Sequence, residues 1–108
     1  STSHPMATAW DGTYPRFTRS ETGQRLYANI NNYMAVGKRS VKWVVEDYEL
    51  YHRTFASLVN AIVHAGFRLE ECQESNCSDA LRAQYPSRFD GTIHRPDFVF
   101  FRCRKLLE

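Results

Sequence analysis

The chain has 108 residues, of which 43% are hydrophobic and 14% aromatic. This is enough for one small domain with a packed core, and it excludes a wholly disordered chain. The formal net charge of +2 is too small to indicate by itself a nucleic-acid or anionic-membrane partner, and no apolar run reaches the roughly 20 residues that a membrane-spanning helix needs.

Three cysteines are distributed irregularly along the chain, at Cys72, Cys77 and Cys103. An odd number without regular spacing argues against the disulfide framework of a secreted protein. A zinc site that combined them with His64 or His94 would need paired, short ligand spacings, which the sequence lacks. We therefore predict a reducing, cytoplasmic location and no metal site.

The first 25 residues, STSHPMATAWDGTYPRFTRSETGQR, are rich in Thr, Ser, Gly and Pro and show no hydrophobic periodicity. They predict an irregular, lid-like segment that carries the aromatic residues Trp10, Tyr14 and Phe17. A structureless segment longer than about 15 residues is usually functional or disordered in a compact domain. No helix or strand pattern precedes STSHP, which suggests that the chain is part of a longer protein.

Residues 26–52 predict a strand hairpin. The segment LYANINNYMAV alternates loosely, Gly37 marks a turn, and SVKWVVEDYELYH places Val41, Trp43 and Val45 on one face. Period-two alternation of this kind is typical of a strand. It predicts that Trp43 lies in the core rather than against a ligand.

Residues 53–104 predict one major helix followed by a pair of antiparallel strands. Thr54 is a suitable N-cap for the helix, and Gly66 is a suitable residue just beyond its end. The apolar stripe of this helix recurs at helical spacing and consists of Phe55, Leu58, Val59, Ile62 and Val63. FRLEEC predicts a strand, CSDALRAQY a short helix stopped by Pro86, and RPDFVFFRCRK a strand whose apolar run 98–101 suits burial on both faces. The predicted fold class is therefore α+β.

The order of these motifs is more specific than any one of them. Nearly the whole chain is covered, in order, by SHP, an aromatic-rich segment, NNYMAVGKRSVKW, YHRTFASLVNAIVHAGFRLEE and HRPDFVFFRCRK. In this order they resemble the C-terminal part of class I S-adenosylmethionine-dependent methyltransferases of the small single-domain kind, methyltransferase types 11 and 25. Most of the resemblance is carried by HRTFASLVNAIVHAGF and by the final RPDFVFF.

The resemblance implies that the chain corresponds to the C-terminal part of a seven-stranded, Rossmann-like α/β sheet. SHP would follow the fifth strand, residues 9–52 would fold over the active site, and residues 54–65 would form the last large helix. Residues 67–72 and 98–103 would be the antiparallel sixth and seventh strands, with the seventh inside the sheet. The implied activity is methyl transfer from S-adenosylmethionine to a small-molecule acceptor by the complete protein.

The chain lacks the cofactor-binding features of that family. Family members hold the cofactor with a glycine-rich loop after the first strand and an acidic residue after the second. The glycines are instead far apart, at Gly12, Gly23, Gly37, Gly66 and Gly91. We therefore expect this chain alone to bind no S-adenosylmethionine and to show no turnover, and we expect its partner to be an N-terminal half of the same protein. Without that half, an exposed sheet edge and face would favour self-association.

Two histidines are candidate catalytic residues. His4 would lie beyond the fifth strand, at the edge where ligands bind in open α/β sheets, and is a candidate base or substrate contact. The alternative is that His4 and Pro5 only redirect the chain. His52 precedes the long helix, whose positive end would favour the neutral imidazole that can accept a proton. The alternative is that Tyr51 ends a strand while His52 and Arg53 hydrogen-bond the helix entrance.

Four aromatic residues are predicted to contact the substrate, because aromatic side chains are common in small-molecule pockets. They are Trp10, Tyr14, Tyr33 and Tyr51.

Two other classes of function stay open beside the enzyme. One is a stand-alone, non-catalytic binding or interaction module. The other is an RNA-binding piece, for which the small net charge is an unfavourable sign. Its phosphate contacts would come from Arg25, Lys38, Arg39 and Lys42.

Overall fold

The computed structural model describes residues 1–41 and 48–106, which form three small antiparallel sheets with short helices between them. In chain order the strands are β1 (Thr2–Ser3), β2 (Phe17–Arg19), β3 (Arg25–Ala28), β4 (Gly37–Val41), β5 (Tyr48–His52), β6 (Phe67–Glu74) and β7 (Phe98–Lys105). The helices are α1 (Pro5–Thr8), α2 (Phe55–His64), α3 (Asp79–Gln84) and α4 (Pro86–Phe89), and a 3₁₀ helix spans Asp90–Ile93. The predicted α+β class, with antiparallel strands and one major helix, is confirmed.

The largest sheet has the strand order β1-β7-β6, and both of its pairings are antiparallel. β1 pairs through Thr2 with Val99 and through Ser3 with Phe98. β6 pairs along the other side of β7. The last strand of the chain is therefore in the middle of this sheet, as the resemblance implied.

Local sequence determines both ends of α2. The Thr54 hydroxyl accepts a hydrogen bond from the Ser57 N–H at 3.1 Å, which satisfies one of the free donors of the first turn. Beyond the last turn, Gly66 has φ +88°, in the left-handed region that glycine adopts without steric cost. The Phe55 ring packs against Phe101 of β7 with the ring centroids 6.0 Å apart. The predicted helix and its end signals are confirmed, and α2 covers one face of the largest sheet.

The opposite face of β7 is open. Val99 is fully buried, whereas Phe98 is 50% and Phe100 is 45% exposed. Successive side chains of a strand point to opposite faces, so Phe98 and Phe100 form an apolar row on the face away from α2. The prediction that the run 98–101 is buried on both faces is therefore wrong for this chain, because its described residues leave that second face uncovered.

Two strand pairings differ from the predicted ones. β3 pairs with β2, so the first 25 residues are not wholly irregular, and β4 pairs with β5. The β2–β3 turn is closed by Gly23, at φ +90°, and by the Ser20 hydroxyl, which accepts from the Gln24 N–H at 3.1 Å. Closing a short loop costs less chain entropy than pairing across a long one, which favours this local hairpin. Gly37 begins β4 instead of forming the predicted turn.

The alternating segment that predicted the second strand of the hairpin lies mostly in residues 42–47, outside the described residues. The prediction that Trp43 is a core residue lies there too. On the described side of that gap, Val41 is buried and pairs with Tyr48.

The β2–β3 hairpin is fastened to the 3₁₀ helix through Arg25. The Asp90 carboxylate accepts a hydrogen bond from the Arg25 guanidinium at 2.6 Å and another from the Arg25 N–H at 2.8 Å. His94 donates from Nε2 to the Arg25 carbonyl at 2.9 Å. Burial of the Asp90 carboxyl opposes its ionisation, but the bonds from Arg25 outweigh this effect and hold the pKa of Asp90 below its usual value. The hairpin is thereby held against the segment that leads into β7.

Gly91 lies close to this hairpin, so a substitution there tests how firmly the Arg25–Asp90 contact holds the hairpin in place. A Cβ atom at position 91 would lie 2.8 Å from Arg25 Cδ and 3.1 Å from Phe17 Cζ. Arg25 is held at its far end by Asp90, so its side chain is not free to move aside. We predict that Gly91→Ala lowers the free energy of unfolding by about 1–3 kcal/mol, the usual cost of overpacking, as measured by urea denaturation.

The matched comparison is the same substitution in an Arg25→Ala background, where the contact with Arg25 Cδ is absent. The cost of Gly91→Ala should be smaller there, and the difference is the interaction energy of the two positions. A variant as stable as the unsubstituted protein, or an equal cost in both backgrounds, would show that Arg25 does not restrain this contact.

Candidate functional site

β1 ends where β7 begins, because the two strands are antiparallel and Ser3 lies opposite Phe98. Two backbone groups of Asp97 tie this edge to its surroundings. The Asp97 carbonyl accepts from the His4 N–H at 2.9 Å, and the Asp97 N–H donates to the Ser75 hydroxyl at 3.1 Å. The segments that follow β1, follow β6 and precede β7 therefore meet at the carboxyl end of β1, where ligands of open α/β sheets bind.

His4 caps the short helix α1 that follows β1. Its Nδ1 accepts from the Met6 N–H at 3.0 Å, so the ring proton is on Nε2, which donates to the Glu74 carboxylate at 2.6 Å. The ring is buried and stacks on Phe55 with a centroid distance of 5.8 Å. Both nitrogens are thus used by the protein itself, and neither offers a free lone pair to a substrate. These contacts agree with a role in redirecting the chain, and the catalytic role of His4 stays a prediction.

His52 is fully buried and hydrogen-bonded at both ring nitrogens. Its Nε2 lies 2.7 Å from the Tyr33 carbonyl, which can only accept, so Nε2 carries the proton. Its Nδ1 lies 2.7 Å from the Thr8 hydroxyl, which therefore donates to it. Burial lowers the pKa of His52; the hydrogen bond to Tyr33 opposes this shift, and the charge of Arg39 adds to it. His52 is therefore neutral at pH 7, with burial as the main cause, and its catalytic role stays a prediction.

Tyr33 joins His52 to the start of α2. Its ring meets the His52 imidazole edge-on, with the centroids 5.5 Å apart, and its hydroxyl accepts from the Phe55 N–H at 2.8 Å. The loop that carries Tyr33 is held in turn by Arg39, which donates to the carbonyls of Asn31, Asn32 and Ala35. In this position Tyr33 clamps the loop to the helix, and its predicted contact with substrate stays a prediction.

The other three predicted aromatic residues lie apart from this network. Trp10 is buried beneath the Arg16 guanidinium, which is 4.1 Å from the ring centroid, and its Nε1–H donates to the Tyr14 carbonyl. The Tyr14 residue itself is 60% exposed. Tyr51 is 52% exposed, with the Arg53 guanidinium 4.9 Å from its ring centroid. Alternation along β5 sends Tyr51 to the face opposite its neighbour His52, so the two candidates at the helix entrance do not share one site.

A cavity of about 430 Å³ opens at the carboxyl end of β1. Its described lining residues are Ser3, Ala7, Thr8, Arg16, Leu50, Arg95, Asp97 and Phe98. None of the six residues predicted for the site is among them. A second cavity, of about 290 Å³, shares Ser3, Thr8 and Leu50 with the first and is bordered by Tyr51. The two cavities together form a groove along this edge of the sheet.

Charged residues supply one wall of the larger cavity. Arg95 is buried, donates from Nη1 to the Asp97 carboxylate at 2.7 Å, and lies over the Phe17 ring at 4.9 Å from its centroid. Arg16 reaches the cavity from the segment before β2 and donates to the Ala7 carbonyl at 3.1 Å. Sequence reasoning missed all three charged residues. The available signal was the motif HRPDF, in which an arginine and an aspartate flank a proline directly before an apolar strand.

The described residues define the chemistry open to this groove. Within residues 1–41 and 48–106, no group of His, Cys, Asp and Glu is arranged to hold a metal ion. The same part of the chain contains no helix that is long and apolar enough to cross a membrane. The described lining of the groove presents hydroxyls, the carboxylates of Asp97 and Glu49, guanidinium groups and apolar side chains to a ligand.

Two solved methyltransferase structures resemble the chain over almost its whole length. The S-adenosylmethionine-dependent methyltransferase of Mesorhizobium loti has a TM-score of 0.76 and 26% sequence identity, covering 95% of this chain and 45% of that protein. A Listeria monocytogenes protein, provisionally assigned as an S-adenosylmethionine-dependent methyltransferase, has a TM-score of 0.75 and 24% identity, covering 97% and 46% respectively. The chain has the fold of the C-terminal part of a methyltransferase.

A sequence relative of this methyltransferase-like chain is an uncharacterised protein of Haemophilus influenzae, which is 31% identical over 107 residues. That match covers 98% of the chain and 41% of the relative. No family model matches the chain. The chain thus spans less than half the length of each of these three proteins.

The buried, neutral His52 of this methyltransferase-like chain predicts a specific pH dependence of stability. Its pKa in the folded state lies below the ordinary value of 6.5, so the unfolded state binds more protons when the pH falls below about 7. The contribution of His52 is complete above that pH and is lost as the pH falls toward the depressed pKa. Chemical denaturation should show the free energy of unfolding falling as the pH drops below about 6.5, by at most about 1.4 kcal/mol per pH unit.

Two variants separate this effect from other titrating groups. His52→Gln removes the titrating group and should flatten the pH dependence while lowering stability at every pH. His64→Gln is the matched control, since His64 is exposed at the end of α2, and it should keep the original slope. If His52→Gln kept that slope as well, the buried neutral assignment of His52 would be wrong.

Proposed function

We propose that the chain is the C-terminal, acceptor-binding part of an S-adenosylmethionine-dependent methyltransferase that acts on a small molecule. The observation that carries this proposal is the cavity of about 430 Å³ at the carboxyl end of β1, in a chain with a methyltransferase fold. The cavity has the volume of a small-molecule site, and it combines apolar walls with a few polar groups. The order of sequence motifs favours the small single-domain enzymes of types 11 and 25.

We assign residues 9–52 the role of a lid over the acceptor. Arg16 and Leu50 come from this segment and line the cavity, which supports the assignment. The segment is also held at several points, by the Arg25–Asp90 ion pair at 2.6 Å and by the hydrogen bonds of His52. A lid fixed in this way would shape the acceptor site and exclude water from it.

The described residues do not fit a cofactor site of the methyltransferase kind. Such a site places a glycine-rich turn between a parallel strand and the helix that follows it. Every strand pairing in the described part of the chain is antiparallel. The glycines with positive φ lie in four separate turns or strand ends, at Gly12, Gly23, Gly37 and Gly66. We infer that S-adenosylmethionine is bound by a part of the protein outside this chain.

The largest sheet offers a surface for such a part. Phe98 and Phe100 expose an apolar row on one face, and β1 is an edge strand whose outer side has no partner among the described strands. Burying one large apolar side chain contributes roughly 1.5–3 kcal/mol. We infer that the cofactor-binding half packs on this face and extends the sheet beyond β1. Self-association through the same surface is the alternative when that half is absent.

Methyl transfer is an in-line displacement at the carbon of a sulfonium ion, so the protein contributes mainly alignment and exclusion of water. The cofactor supplies the methyl group when it is bound. In this chain both ring nitrogens of each histidine are hydrogen-bonded within the protein. His4 bonds the Met6 N–H of α1 and the Glu74 carboxylate, and His52 bonds the Thr8 hydroxyl of α1 and the Tyr33 carbonyl. We therefore assign these two histidines the positioning of the acceptor site rather than removal of a proton.

The location of the cofactor site can be tested by comparing residues 1–108 with the full-length protein. Calorimetry should detect binding of S-adenosylmethionine to the full-length protein. Residues 1–108 alone should show no binding, and their amide NMR spectrum should not change on addition of the cofactor. Specific shifts around His4 and His52 would contradict the inferred location of the site.

Activity is tested separately. The full-length protein should transfer a labelled methyl group from S-adenosylmethionine to a component of a small-molecule extract. If the full-length protein neither binds the cofactor nor transfers the label, the proposal fails. A non-catalytic binding module would then be the better assignment.

A further inference from the structure

Arg95 is a buried cation whose position the fold strongly restrains. Its side chain is 5% exposed, and it lines both the cavity of about 430 Å³ and a smaller one of about 100 Å³ beside the β2–β3 hairpin. The guanidinium lies over the Phe17 ring, 4.9 Å from its centroid, which restrains its plane. An arginine is rarely this buried without charged partners, because removing its charge from water is costly.

Among the described residues, Asp97 satisfies only part of the hydrogen-bonding capacity of the Arg95 guanidinium. Asp97 accepts a single hydrogen bond, from Nη1 to Oδ1 at 2.7 Å, whereas a guanidinium has five N–H donors in one plane. The Asp97 side chain is 59% exposed, so half of this ion pair faces the solvent at the mouth of the groove. The planar fork of Arg95 therefore keeps donors that match a second carboxylate in bidentate geometry.

The rest of the cavity indicates what such an anion is attached to. Ala7, Leu50 and Phe98 form its apolar part, and the hydroxyl of Ser3 adds a polar group near the end of β1. Asp97 places a negative charge beside Arg95, which disfavours a dianionic phosphate more than a singly charged carboxylate. The lining thus matches a small molecule with an apolar body and one carboxylate.

We propose that the methyl acceptor carries a carboxylate and that Arg95 binds it at the start of β7. This inference rests on the proposed function, since it names the chemical class of the acceptor at the same site. The hydrogen bond to Asp97 fixes the position of the Arg95 guanidinium, and the negative charge of Asp97 limits the negative charge of the ligand that the site accepts. Arg16 forms the wall on the lid side, fixed by its contacts with Trp10 and the Ala7 carbonyl.

Calorimetry on the full-length protein tests this proposal with three probes that share a phenyl ring: benzoate, the isosteric neutral benzamide, and phenyl phosphate. We expect benzoate to bind most tightly. Arg95→Gln should weaken benzoate at least about tenfold, the value of a lost charged hydrogen bond, and leave benzamide unchanged. Asp97→Asn should strengthen benzoate, because it removes a competing negative charge while the amide oxygen can still accept from Arg95 Nη1, whereas an Asp97 whose charge is needed only to hold Arg95 would weaken it. Arg68→Gln, an exposed change at the far end of β6, is the matched control and should change none of the three.

If Arg95→Gln does not fold, Asp97→Asn still tests the proposal, which predicts stronger benzoate binding, whereas a purely structural role of Asp97 predicts weaker binding. The proposal is overturned if benzoate and benzamide bind equally, if phenyl phosphate binds more tightly than benzoate, or if Asp97→Asn weakens benzoate. Cofactor binding is measured independently on the same samples. If the protein binds the cofactor but does not prefer the carboxylate probe, only this inference is overturned. If it prefers the carboxylate probe but neither binds the cofactor nor transfers a methyl group, only the proposed function is overturned.

Discussion

The burial of the His52 imidazole is the constraint on which the arrangement of the site depends. A buried polar group without a partner costs about 1–3 kcal/mol, so both ring nitrogens must keep their hydrogen bonds in the folded state. One nitrogen bonds Thr8 of α1, and the other bonds the carbonyl of Tyr33, whose hydroxyl in turn bonds the first N–H of α2. Three segments that are far apart in sequence are thereby held at fixed positions around the end of β5.

The cavity follows from this arrangement together with the central position of β7. Because β7 has strands on both sides, the loop before it is tied to β1 through the His4 N–H and to the segment after β6 through the Ser75 hydroxyl. The β2–β3 hairpin is anchored to the same loop region by Asp90. The cavity is the space between β1, the segment before β7 and the hairpin. Arg95 lines it and stacks on Phe17 of the hairpin. The segment between α1 and α2 and the entrance to β7 thus form the cavity jointly.

Elements with strong local signals were predictable. The caps at Thr54 and Gly66, the period of α2 and the strand β7 were read correctly from short stretches of sequence, whereas the predicted burial of β7 on both faces was not. The pairing of the short strands was not predictable, because β2 and β3 have little hydrophobic pattern. They pair because the turn between them is short. The predicted site residues stay a prediction; none of them lines the cavity at the carboxyl end of β1, because aromatic side chains and histidines were taken as the chemical signal. In the structure most of them serve packing and hydrogen bonding.

The sequence by itself determined the α+β class, the main helix, the last two strands and, through the order of motifs, the likeness to part of a methyltransferase. These properties depend on contacts between near neighbours in the chain, or on a pattern that spans it. Only the tertiary structure decided that His4 and His52 are occupied by the protein itself and that Arg95, Asp97 and Arg16 line the cavity. The physical reason is that the availability of a nitrogen lone pair or a guanidinium depends on groups far away in sequence: Glu74 for His4, Thr8 for His52 and Phe17 for Arg95.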